Sequence, residues 1–344
     1  MSTPIRTIAA LTLALAVVLG APAAAPAQDH STIYTSRALD ADAERLKTVI
    51  RKLNDIVEQF LTPAEKQALR KRRVEFPMPS PGDHAIDFYA FSDFGEAVAV
   101  MPIMSLKMLE DVTTAYAWLL TQGHAPSTID LYFTMIRRDD PSGFPGGRYP
   151  PLLATLGVPE DAWKHPPVDD LSLRLRNEAF AFAFFHELGH ILHKHESYED
   201  LTVAEALADE IEADRFALDI LSRSKTPALG ASLLFQAQAF SLPHRGQFDS
   251  DAEWLTYIEE RGRHPMTGDR LRAFADYVST ELAEQRSGER DIWAFIGRGL
   301  HQMAEMFDDQ DMQECMAYAG ETLSVDALAP RSEAGLSAFL DACP

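Results

Sequence analysis

Cysteine is nearly absent, with two in 344 residues, too few for a disulfide scaffold or an all-cysteine metal site. Basic charge is also scarce: 31 lysines and arginines stand against 52 aspartates and glutamates, a formal net charge of −21. That deficit argues against nucleic acid or anionic lipid as a partner, because non-specific binding to either rests on basic surface. Long apolar runs are missing after the first thirty residues. The longest, Ala179 to Phe185, falls far short of the roughly 18 residues a membrane span needs and reads as a buried core helix. No G-x-S-x-G elbow and no G-x-x-x-x-G-K-[ST] loop occurs, which weakens serine-hydrolase and P-loop readings. There is no internal repeat. A hydrophobic content of 46% is that of a folded chain, long enough for one large or two ordinary domains.

The N-terminus carries Arg6, then an apolar stretch from Ile8 to Gly20, then Ala25-Pro26-Ala27-Gln28. A basic start, a short apolar run and an A-x-A site predict a secretory signal peptide over 1–27, cut after Ala27. The expected product is exported, periplasmic or secreted, with no integral membrane segment. No cysteine lies near the cut to carry a lipid. In an oxidising compartment Cys315 and Cys343 form a candidate disulfide, contributing about 3.5 kcal/mol in the chain-entropy account. A chain ending Cys-Pro is not a prenylation signal.

Apolar residues at 46, 49, 50, 53, 56, 57, 60 and 61 predict an amphipathic helix over 39–61. Thr62-Pro63-Ala64-Glu65 is a helix start with a capping box. That second helix is expected to end in Arg70-Lys71-Arg72-Arg73, cations at the negative end of its dipole. After a Pro/Gly/Ser linker over 77–82, two short strands are expected, Ala85 to Phe91 and Ala97 to Ile103. Helical spacing returns over 106–120. Residues 139–170 hold seven prolines and read as a surface loop. Helical blocks follow over 171–194 and 202–222, and helical patterns dominate beyond.

The first of these blocks contains His186-Glu187-Leu188-Gly189-His190, an H-E-x-x-H motif. Residues four apart share a helix face, so both histidines can turn to one zinc ion, while Glu187 is placed to accept a proton from water. Catalytic zinc takes a third protein ligand. A metzincin would need glycine at 193 and histidine at 196; this chain has His193 and Glu196. The next helix offers two carboxylate pairs instead, Glu205 with Asp209 and Glu210 with Asp214. His193 and His195 read as polar side chains in solvent just after the zinc helix rather than a second metal site.

Glu210-Ile211-Glu212-Ala213-Asp214-Arg215-Phe216-Ala217 resembles the E-x-x-A-D segment of gluzincin metallopeptidases, in particular the CAAX prenyl protease/HtpX-like family. The resemblance implies Glu210 as third ligand with Asp214 as its partner, leaves Glu205 as runner-up, and makes Glu212 a solvated charge. A downstream His264-Pro265-x-x-x-x-Arg270 also matches that family. By resemblance His264 stabilises the oxyanion and Arg270 supports it, against the plainer reading of a histidine capping the helix that starts near Thr267. The family's edge strand, which aligns extended substrate, would correspond to 88–91 or 97–103. The likeness spans roughly 85–285, lacks the family's membrane helices, and is interrupted by the Pro-rich stretch.

These readings predict an α+β, predominantly α-helical, zincin-like fold with a small sheet beside the zinc-binding helix. The expected organisation is a signal peptide over 1–27, a helical region and linker over 28–82, a metallopeptidase domain over 83–285 and a helical extension over 286–344. The expected function is a zinc metalloendopeptidase of the cell envelope or exterior, with one zinc ion and a protein or peptide substrate. The alternative is a non-catalytic, chaperone-like binding protein on the same scaffold. A weaker third reading is metal-dependent hydrolysis of something other than peptide.

Overall fold

The computed structural model describes residues 29–93, 96–138, 140–195, 201–241, 248–260, 264–285, 288, 290–322 and 324–328. The expected signal peptide lies outside them. In chain order the elements are α1 (Ser36–Val57), α2 (Pro63–Ala68), β1 (Arg72–Glu75), β2 (Tyr89–Asp93), β3 (Glu96–Val100), α3 (Ile103–Thr121), α4 (Thr128–Ile136) and α5 (Leu152–Thr155). They continue with α6 (Pro166–His193), α7 (Val203–Arg223), α8 (Leu229–Ser241), α9 (Asp251–Glu260), α10 (Gly268–Tyr277), α11 (Ala283–Gln285), α12 (Arg290–Asp308) and α13 (Gln310–Thr322). The fold is α+β and predominantly helical, with one three-stranded sheet among the described residues. No helix among them is long and apolar enough to cross a membrane.

The amphipathic pattern of α1 buries Leu39, Ala43, Leu46, Ile50 and Val57 along one face, and Thr35 caps its start. The capping box of α2 forms as its sequence predicts, Thr62 and Glu65 bonding reciprocally. The basic run that follows does not end a helix. α2 stops at Ala68, and Arg72 and Arg73 enter β1, which pairs in parallel with β3. Arg72 turns back to Asn54 Oδ1 at 2.9 Å and Glu58 at 2.7 Å. That long-range pairing overrides the local helical pattern.

The sheet order is β1-β3-β2, with β2 antiparallel to β3 and Ala90 opposite Ala99. Both strands are offset from their expected bounds. Asp87 N–H bonds the Ser105 hydroxyl at 3.0 Å rather than a strand, and Pro102, which has no N–H, sits at the N-cap of α3. Over 139–170 the prolines open short helical turns, and Phe144, Tyr149 and Leu152 are buried there. The segment is thus partly core rather than wholly surface loop. Its last two prolines occupy the first positions of α6, where no donor is needed, so the helix begins five residues earlier than Leu171.

α6 is the central element. Every residue from Glu178 to His190 is buried, and the helix packs against α3, α7, α8 and the sheet. One contiguous hydrophobic cluster runs from Ile33 to Leu328 around it.

Candidate metal centre

Two glycines let the neighbouring helices come unusually close. A Cβ on Gly189 of α6 would lie 2.9 Å from Ala213 Cα and 3.1 Å from the Ala213 carbonyl of α7. A Cβ on Gly230 of α8 would overlap the Leu175 carbonyl at 2.1 Å. The first crossing brings Glu210, one turn before Ala213, against the face carrying His186 and His190. His264, just before α10, closes the group: one ligand atom from each of the four residues lies within 4.8 Å of every other.

The donor spacing fits a cation. Ligands at about 2.05 Å in a tetrahedral shell are about 3.3 Å apart. His186 Nε2 is 3.0 Å from His190 Nε2 and 3.5 Å from Glu210 Oε2, while His190 Nε2 is 3.3 Å from Glu210 Oε1. His264 Nδ1 lies 3.4 Å from His186 Nε2 and 2.8 Å from Glu210 Oε1. Burial drives the His190 imidazole down to about 4, so its lone pair is available at neutral pH.

Behind the donors stands Arg270, 1% exposed. Its Nε and Nη2 donate to the two Asp214 oxygens at 2.7 and 2.8 Å, and its Nη1 lies 2.7 Å from Glu210 Oε2. Asp214 Oδ1 in turn holds His186 Nδ1 at 2.8 Å, leaving Nε2 toward the centre, the usual way a carboxylate orients a metal-binding histidine. Burial raises both carboxyls. Arg270 outweighs it, with His264 and His190 aiding at Glu210, so Glu210 stays well below the ordinary range and Asp214 below it.

Glu187 is buried beside this group. Its Oε1 lies 3.2 Å from His264 Nε2, and its Oε2 is buried without a hydrogen-bond partner among the described residues. Burial pushes Glu187 up, but the charge of His264 and then of His186 and His190 leaves it below the ordinary value. His264 Nε2 also meets the Phe88 carbonyl at 2.8 Å. Burial opposes charge on His264, yet Glu210 and Glu187 raise it well above the ordinary histidine range.

The structure therefore brings His186, Glu187, His190, Glu210, Asp214, His264 and Arg270 together. It does not bring Glu205, whose exposed carboxylate is spent on the α7 capping box with Thr202. Thr267, not His264, caps α10. Glu212 is exposed, as expected of a solvated charge, and it also pairs with His193 at 3.3 Å and His195 at 3.0 Å. His195 does not point into solvent as expected: its side chain is 7% exposed and its Nδ1 lies 2.8 Å from His190 Nδ1. Only the left-handed turn at Lys194 folds it back, and no spacing rule signals that. Cys315 is buried; Cys343 lies outside the described residues.

Residues 164–295 match the family model Peptidase U49. No curated protein and no solved structure matches the chain. The matched segment contains every residue of the centre, and with the His/Glu group it supports a peptidase with a candidate metal site.

Proposed function

We propose that the protein is an exported zinc metalloendopeptidase of gluzincin type, akin to the CAAX prenyl protease/HtpX-like family. The observation that carries this reading is the convergence of His186, His190 and Glu210 with Glu187 at their side. Imidazole and carboxylate donors in this number suit zinc. When bound, the ion would supply Lewis acidity toward water and the scissile carbonyl. Glu187 takes the proton of the attacking water through Oε2, which has no hydrogen-bond partner among the described residues, and then passes that proton to the leaving amine. His264, held between Glu187 and Glu210, stands where a ring N–H would stabilise the charge growing on the carbonyl oxygen. Asp214 and Arg270 keep His186 and Glu210 in place.

β2 supports an extended peptide as the substrate class. It follows Phe88 directly and among the described residues pairs on one side only, whereas β3 is flanked on both. Of the two segments expected to receive substrate, only the first retains an edge for strand addition. Export rests on the N-terminal pattern, as does a Cys315–Cys343 disulfide.

The test is Glu187→Gln in the purified chain, with zinc content and cleavage of an unstructured protein both measured. The expected outcome is retained zinc and cleavage reduced by at least about 100-fold, the lower range for a lost general base. Cleavage at the wild-type rate refutes the mechanism. A second reading has its own observation: His264 Nδ1 stands among the donors, and a fourth protein ligand would close the site as in structural zinc. His264→Ala separates the two. An enzyme keeps zinc and loses turnover, while a closed structural site loses zinc.

A further inference from the structure

We propose that His195 is a positioning residue for the metal ligand His190, backed by Glu212 and Asp209; this rests on the metal-binding reading above. α6 ends at His193, and Lys194 adopts a left-handed conformation with φ 60° and ψ 44°. The amides of Lys194 and His195 both donate to the His190 carbonyl, the latter at 3.1 Å. This tight reversal swings the His195 ring under that of His190, edge to face with centroids 4.9 Å apart.

The nitrogens then form one directed chain. His190 Nε2 faces the other donors, so a metal-binding His190 carries its proton on Nδ1. Two Nδ1 atoms 2.8 Å apart bond only if one donates and the other accepts. His190 therefore donates and His195 accepts. The His195 proton is left on Nε2, which meets Glu212 Oε2 at 3.0 Å, with Asp209 Oδ1 at 3.6 Å. Both carboxylates belong to α7, which also carries Glu210. The relay thus ties the end of the H-E-x-x-H helix to the helix of the third ligand, fixes the His190 tautomer and makes Nε2 a better donor. His186 receives the same service directly from Asp214; for His190 an imidazole stands between ligand and carboxylate.

The test is zinc affinity of the full chain by competition with a chromophoric chelator, with the Co²⁺ absorption spectrum as second readout. Outer partners of ligating histidines typically contribute 10- to 100-fold to affinity. His195→Ala is expected to weaken zinc by about that factor and to change the Co²⁺ band, with the melting temperature of the metal-free protein unchanged. His195→Asn, whose amide oxygen can stand near Nδ1 as an acceptor, is expected to recover most of the loss. Wild-type affinity in His195→Ala overturns the proposal, as does His195→Asn binding no better than His195→Ala. Absence of zinc binding by the wild type would instead overturn the metal reading of the centre itself.

Discussion

Replacing Arg270 with methionine tests the electrostatics of the centre most directly. The guanidinium is 1% exposed and makes two charge-assisted hydrogen bonds to Asp214 and a third contact, at 2.7 Å, to Glu210. Methionine keeps much of the side-chain volume, so the change removes charge and donors rather than opening a large cavity. It strands two buried carboxylates. Removing one partner of a buried ion pair costs about 3–5 kcal/mol, and with two carboxylates affected the upper half of that range is expected for the metal-free protein. Urea unfolding at pH 7 in the presence of chelator measures it. A cycle with Asp214→Asn sharpens the test: with Asp214 already neutral, removing Arg270 leaves only Glu210 unpaired. The coupling energy should then be about 1–3 kcal/mol. Arg270→Met within about 0.5 kcal/mol of wild type, the range of ordinary surface changes, would refute the argument. So would strict additivity in the cycle.

Gly189→Ala should destabilise the protein by about 1–3 kcal/mol, the usual penalty of overpacking, and weaken zinc binding, because the new Cβ meets backbone of α7 that cannot swing away. Unchanged unfolding midpoint and zinc affinity would show that this close crossing does not position Glu210. Glu205→Ala should lose only a helix cap, about 0.5–2 kcal/mol, and keep zinc, whereas Glu210→Ala should lose zinc; chelator competition on both variants checks the assignment. Stability of the metal-free protein should peak near pH 6.5 among the contributions of the centre. Folded His190 titrates at about 4, below the unfolded value of about 6.5, so its contribution is lost as pH falls from 6.5 toward 4. Glu210 and Asp214 are depressed, so theirs is present above about pH 4.5 and lost on further acidification. His186 and His264 are raised, so theirs is complete below about 6.5 and lost as pH rises through their folded values. Urea midpoints from pH 4 to 9 in chelator would contradict this by staying flat.

What the sequence by itself determined was local. The capping box of α2, the buried face of α1, and His186 and His190 on one side of a helix all follow from interactions three or four residues apart, which the chain spells out in order. The H-E-x-x-H spacing carries its chemistry for the same reason. The third ligand marks the limit. Glu205 and Glu210 are five residues apart, about 140° around one helix, and each has a partner one turn on. Residue spacing leaves both open, and the family resemblance favoured Glu210. The close approach at Gly189 and Ala213 sets Glu210, and not Glu205, beside His186 and His190, by turning one face of α7 to α6 and the other to solvent. Only tertiary structure could place Arg270 between Asp214 and Glu210, set His264 among the donors, pair β1 with β3, and leave β2 as the edge. Each of these joins groups distant along the chain, where no short-range pattern constrains the partner. His195 is the instructive exception, because it lies only five residues from His190. Its contact with His190 depends on a left-handed residue at Lys194, a backbone choice that lysine does not announce, and so a side chain packed against the candidate metal centre reads in sequence as one left in solvent.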